Sequence, residues 1–79
     1  MFYVYIIRSK SNPKQRYIGF SKNLKTRLSD HNAGKCPHTS KYKPWHLETY
    51  FAFDSEEKAR AFEKYLKSGS GRSFAKRHF

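Results

Sequence analysis

The chain opens on an unbroken apolar run, Phe2 to Ile7, in which every residue is aromatic or β-branched. Such a run suits a strand covered on both faces. The polar stretch "SKSNPKQ", with Asn12-Pro13 at its centre, interrupts it before a second short run from Arg16 to Phe20. Two strands joined by a polar loop of this length predict an antiparallel hairpin. From Lys22 to about Ala33 the residues are strong helix formers, with Ser21 placed to cap the start and Gly34 to stop the end. The stretch "KCPHTSKYKPW" carries two prolines and no apolar period, which predicts a loop, and "HLETYFAF" alternates as a third strand. Asp54 stands three residues before Glu57 in a helix-start signature, so a second helix is expected to about Ser68. "SGSGR" breaks that helix, leaving Ser73 to Phe79 for a last short turn of helix. The resulting order is β-β-α-β-α with a final helical turn, an α/β (α+β) arrangement expected to form one domain over residues 1–79.

Helical and strand periods then sort the side chains. At about 100° per residue, Arg27 and His31 share a ridge beside Leu24 and Leu28, while Lys22, Lys25, Thr26 and Ser29 fall on the far side. Arg27 is therefore either a stem covering the edge of the core or a functional cation. In the second helix Glu63 falls with Ala59, Phe62 and Leu66 on the apolar side, whereas Glu57 faces solvent. A carboxylate turned toward an apolar face has to be paired, hydrogen-bonded or metal-bound. An ion pair with Arg27 or a lysine and a metal site are both open. The strand period puts Tyr3, Tyr5 and Ile7 on one face and Tyr17 with Gly19 on one face, which makes Tyr5 and Tyr17 candidate cross-strand neighbours. Gly19 leaves a gap beside Tyr17 for another backbone or a ligand.

Charge changes this picture more than size does. With 17 Lys and Arg against 6 Asp and Glu, the 79 residues carry a net charge of +11, and a polyanion is the expected partner, nucleic acid first. Aromatic residues make up 18% of the chain and are spread among the basic ones, enough to close a core, so the charge is not that of a disordered tail. A chain this short excludes a large ligand cavity. The single Cys36 excludes an intramolecular disulfide and points to a reducing cytoplasm. The opening run is too short for a membrane span and lacks the flanks of a signal peptide, so no membrane is expected. Cys36, His38 and His46 have no structural-zinc spacing, and "SGSGR" lacks the pattern of a phosphate-cradling loop.

Taken in order, Tyr3-Val4-Tyr5, Tyr17-Ile18-Gly19, Arg27 and His31 on one helix and Glu63 on the next resemble the GIY-YIG endonuclease domain. The resemblance runs through essentially the whole chain. It is nearest to small stand-alone bacterial members related to the N-terminal nuclease domain of the excision-repair protein UvrC, with "KPW" and "FDSEEKARAFEKYLKSGSGR" fitting that subgroup. It implies a small, three-stranded, mostly antiparallel sheet flanked by helices. By the same resemblance Tyr5 and Tyr17 are the motif tyrosines, Arg27 the helix arginine and Glu63 the metal-binding glutamate, with His31 where the family places Tyr or His. Three positions depart from the pattern: Tyr3 replaces the first glycine, Phe20 stands where several members carry lysine, and no asparagine follows Glu63, where the nearest polar residues are Ser70 and Ser73.

The implied activity is hydrolysis of phosphodiester bonds in nucleic acid, DNA first, in repair or processing, with one Mg²⁺ (or Mn²⁺) ion on Glu63. No second carboxylate joins the cluster for a two-metal site. Arg27 is expected on the phosphoryl oxygens, and Tyr17, helped by Tyr5 or His31, on the attacking water. A tyrosine of pKa about 10 needs roughly 4 kcal/mol of help to act as a base near pH 7. A nearby metal and guanidinium are one source of it; His31 is the easier base if they fall short. Backbone contacts fall to Lys22, Lys25, Lys41, Lys43, Arg72 and Lys76, with Lys10, Lys14, Arg16 and Arg77 as further candidates. A monomer is expected, with a protein partner as one route to targeting. The rival readings are a non-catalytic nucleic-acid-binding module on the same fold and a basic adaptor for an acidic protein.

Overall fold

A computed structural model describes residues 1–79. Strand β1 (Phe2–Ser9) lies in the middle of a three-stranded sheet, with β2 (Arg16–Ser21) and β3 (Trp45–Phe53) antiparallel on either side. Its central position explains the unbroken apolar run. Val4 and Ile6 are fully buried in one core and Tyr5 and Ile7 in another, one on each face. The loop between β1 and β2 closes through Ser9 N–H to the Gln15 carbonyl (3.0 Å) and Gln15 N–H to the Asn12 carbonyl (2.8 Å).

The helices cover opposite faces. Helices α1 (Leu24–Asn32) and α2 (Pro37–Ser40) lie on the face of Tyr5 and Ile7, where Leu24, Leu28, Tyr17, Tyr42 and Leu47 pack around Trp45. Helices α3 (Glu56–Leu66) and α4 (Gly69–His78) cover the other, where Ala59, Leu66 and Ala75 close over Val4 and Ile6 among a ring of phenylalanines. The three-stranded antiparallel sheet flanked by helices is the α+β arrangement expected from the pattern.

Several boundaries move for local reasons. Asn23, not Ser21, caps α1 by accepting the Thr26 N–H at 3.1 Å, while the Ser21 hydroxyl instead bonds the Asn23 backbone. Ser55, not Asp54, caps α3, and the helix ends at Leu66 rather than Ser68. The stretch expected as loop contains the single turn α2, with Pro37 at its start, where the missing N–H costs no helical bond. The end of the chain is a ten-residue helix rather than a short turn from Ser73. Its cap is Ser68, and one of its glycines serves contact: a Cβ on Gly71 would collide with the Tyr65 carbonyl of α3, so glycine here lets the two helices approach.

A bulge in β3 opposite the Ile6–Ile7 step carries Glu48. The extra residue lets one carboxylate meet Arg8 of β1 at 2.6 Å and Arg16 of β2 at 3.0 Å, tying all three strands at one end of the sheet.

Candidate active site

The strand register builds the first part of the site. Tyr5 stands opposite Gly19 and Ile7 opposite Tyr17, so the two tyrosines are diagonal rather than directly paired, with ring centroids 6.4 Å apart. Gly19 makes that diagonal possible. A Cβ there would overlap the Tyr5 hydroxyl and come within 3.0 Å of the Tyr17 ring. The gap foreseen beside Tyr17 is thus filled by Tyr5 itself.

Helix α1 supplies the next layer. The His31 ring packs on both tyrosines, at 5.8 Å from Tyr5 and 5.1 Å from Tyr17 between centroids. Its Nε2 is hydrogen-bonded to the Tyr5 hydroxyl at 2.8 Å and its Nδ1 to the Thr39 hydroxyl at 2.7 Å. Thr39 belongs to α2, and its carbonyl accepts the Trp45 indole N–H at 2.9 Å, so the buried row runs from β1 through α1 and α2 to β3.

Burial separates the roles of these groups. Tyr5 is 1% exposed and His31 fully buried, whereas Tyr17 and Arg27 keep part of their surface. Desolvation pushes the Tyr5 phenol up to about 12 despite the Arg27 guanidinium beside it, so it stays neutral near pH 7. Desolvation and then Arg27 push His31 below its ordinary 6.5, with Asp30 opposing, which keeps the imidazole neutral as well. Arg27 is raised above its ordinary value, chiefly by the Tyr5 hydroxyl. His31 is the expected easier base if Tyr17 falls short; in the fold both its nitrogens are engaged and its ring is fully buried. Its geometry, like that of Tyr5, is that of a group holding its neighbours in place. Tyr17 is the one aromatic ring of the three with an open edge.

Glu63 lies on α3, across the sheet from α1, and it pairs with neither Arg27 nor any residue of α1. Its partners are Lys67 at 3.1 Å and Arg60 at 3.7 Å. Arg60 stacks over the Phe20 ring of β2, with its guanidinium carbon 3.7 Å from the centroid, which places this flank of α3 along the β2 edge. Lys67 also lines a cleft of about 410 Å³ with Arg16, Tyr17, Ile18 and Arg72. One ammonium thus links the carboxylate to the cleft that holds Tyr17, around the β2 edge. The side chain of Glu63 is 16% exposed, and the structure gathers no group of three or more His, Cys, Asp or Glu able to cage a metal. A single carboxylate, here paired with Lys67 and Arg60, could serve only a divalent ion that keeps its own waters and shares a substrate phosphate, and not a closed all-protein site.

The expected backbone-contact residues spread around this centre. Arg72 lines the Tyr17 cleft, Lys25 and Lys22 border a groove beside α1, and Lys41 lies over the Tyr42 ring. Lys22 is also within 3.8 Å of Glu56, Lys43 sits near Gly34, and Lys76 is exposed in the last turn of α4. Arg16 is tied to Glu48, yet its Nε is buried without a partner. Thr39 and Lys67 were not foreseen. Thr39 sits in a stretch without apolar period, whereas the spacing of Lys67, four residues after Glu63, is the signal that points to it.

The comparisons with known proteins fit this geometry. The family model described as the GIY-YIG catalytic domain matches residues 1–77. The chain belongs to the GIY-YIG family. Within it, the chain is similar to UPF0213 proteins of Streptococcus pyogenes, among them one from serotype M5 (strain Manfredo) and one from serotype M3 (strain SSI-1). Each is 38% identical over 72 residues, covering 90% of this chain and 76% of the relative. The GIY-YIG assignment makes this a domain of nuclease type, the expectation carried by Tyr17-Ile18-Gly19 and Glu63. No helix is long and apolar enough to cross a membrane.

Proposed function

We propose that this GIY-YIG chain is an endonuclease that hydrolyses phosphodiester bonds in nucleic acid, DNA first, with one divalent ion on Glu63. The observation that carries the reading is the division of the tyrosine–histidine cluster: Tyr5 and His31 are sealed and neutral, while Tyr17 and Arg27 open toward solvent.

Arg27 presents donors to the phosphoryl oxygens, where charge gathers as the bond breaks. Tyr17 orients the attacking water and accepts its proton. As a base Tyr17 acts in its phenolate form, which takes the proton of the attacking water, becomes the phenol and later returns that proton to solvent. His31, anchored by Thr39, fixes Tyr5 and the Tyr17 ring, and Arg27 lies beside that pair. Glu63 would hold Mg²⁺ or Mn²⁺, which supplies Lewis-acid polarisation of the phosphate and lowers the pKa of its bound water. Lys67, already at Glu63 and at the Tyr17 cleft, adds positive charge where a backbone phosphate must sit.

A second reading, a nucleic-acid-binding module without cleavage, is favoured by one feature: Arg60 and Lys67 already neutralise Glu63. A labelled panel of duplex, single-stranded, flap and RNA substrates with Mg²⁺ or Mn²⁺ separates the two. Nicked product that disappears in Glu63→Ala, with binding kept, is the expected result. Full cleavage by Glu63→Ala refutes the metal role, and binding without product under both metals selects the module.

A further inference from the structure

A groove of about 550 Å³ lies beside α1, away from Glu63, and the proposed reaction leaves it unused. Leu24, Leu28 and Leu47 contribute its apolar surface and Tyr3 and Tyr50 its aromatic surface, with Lys22 and Lys25 at the rim. Tyr50 is 51% exposed, high for an aromatic ring on a sheet, and stands edge-on to Tyr3, with centroids 6.0 Å apart and planes at 66°. Tyr3 stands where the family motif has its first glycine, so this position carries a ring here.

We infer that the groove is a stacking platform for unpaired bases of a nucleic-acid strand whose backbone runs along Lys22 and Lys25. The inference rests on the nucleic-acid reading above and narrows it to substrates with a single-stranded segment. An exposed phenol ring beside an apolar floor offers a π-face, which every base can use irrespective of sequence, and cations at the rim match the phosphates between stacked bases. A paired base inside a duplex shows no face to such a ring. Helix α1 joins the platform to the chemistry: Leu24 and Leu28 line the groove, while Arg27 of the same helix lies beside Tyr5. Lys22 shares its charge with Glu56, which leaves Lys25 as the less encumbered of the two cations.

Fluorescence anisotropy with the full chain, in chelator so that no cleavage intervenes, tests this on a labelled oligo-dT and a blunt duplex. Because base–aromatic stacking is lost with the ring, Tyr50→Ala is expected to weaken oligo-dT binding about tenfold and duplex binding by less than about twofold. Tyr50→Phe keeps the face and restores single-strand affinity. Lys25→Ala lowers the slope of log K against log salt on oligo-dT by about 0.7, the share of one single-strand phosphate. Unchanged oligo-dT binding in Tyr50→Ala overturns the platform, as does an equal loss on both substrates. Wild type that binds neither leaves the groove to a protein partner and also overturns it. Binding that depends on Tyr50, in a protein that cuts nothing, retains the platform and rejects only the catalytic reading.

Discussion

Gly19→Ala is the sharpest probe of how the cluster is assembled. The added methyl would overlap the Tyr5 hydroxyl and press on Tyr17, and the Tyr5 ring cannot simply swing away. Tyr5 is 1% exposed, and its hydroxyl is bonded to His31 at 2.8 Å, so moving it strains the core and breaks a buried hydrogen bond. Overpacking of this kind costs about 1–3 kcal/mol. A lost buried partner adds about 1–3 kcal/mol, so a total of about 2–4 kcal/mol is expected where the two partly overlap. At about 4–8 °C per kcal/mol for a small domain, the melting temperature followed by circular dichroism should fall by at least about 8 °C. Tyr5→Phe removes the atom that collides most closely. In the double-mutant cycle the second substitution should therefore cost less in the Gly19→Ala background, with a coupling of about 1 kcal/mol. A Gly19→Ala variant within about 0.5 kcal/mol of wild type, or strict additivity with Tyr5→Phe, would refute the packing of Tyr5 into the Gly19 gap.

Two further outcomes follow from the charges. The lowered pKa of buried His31 means that its neutral form favours folding fully above 6.5 and that this stability is lost as pH falls toward the folded value, by up to about 1.4 kcal/mol per unit. A pH series of melts should show that loss in wild type and a shallower one in His31→Gln; equal slopes would show that His31 is not the group responsible. Lys67→Met removes the cation 3.1 Å from Glu63, so Mn²⁺ should bind several-fold tighter by paramagnetic titration while nucleic acid binds more weakly. Its pair is half exposed on the lysine side and contributes at most about 1 kcal/mol, so folding should barely change; unaltered Mn²⁺ affinity would remove Lys67 as the competitor at Glu63.

Much of this molecule is legible in one dimension. The run Phe2–Ile7 reads as a two-face strand because each of its residues must find apolar cover, and β1 is the strand that has cover on both sides. Helical spacing puts Arg27 and His31 on the core-side ridge, where burial lowers the pKa of His31 and the neighbouring Tyr5 hydroxyl raises that of Arg27. The same spacing puts Glu63 at the edge of an apolar face and requires a partner for it. Local spacing does point to that partner: Lys67 and Arg60 are one helical turn from Glu63 on its own helix, as Arg27 is not, but a metal on the same carboxylate leaves no mark in the spacing.

The chain pattern by itself determined the elements, the faces they bury and the cationic character of the surface, because these depend on residue type and on periods of two and 3.6. Only tertiary structure decided that Tyr5 and Tyr17 meet diagonally over Gly19, that His31 is locked between Tyr5 and Thr39, and that Lys67 carries the charge of Glu63's surroundings to the Tyr17 cleft. Those contacts join segments far apart in the chain. Their geometry follows from strand register and from which helix covers which face, and a hydrogen bond of 2.7 Å between residues 31 and 39 leaves no periodic trace in either segment.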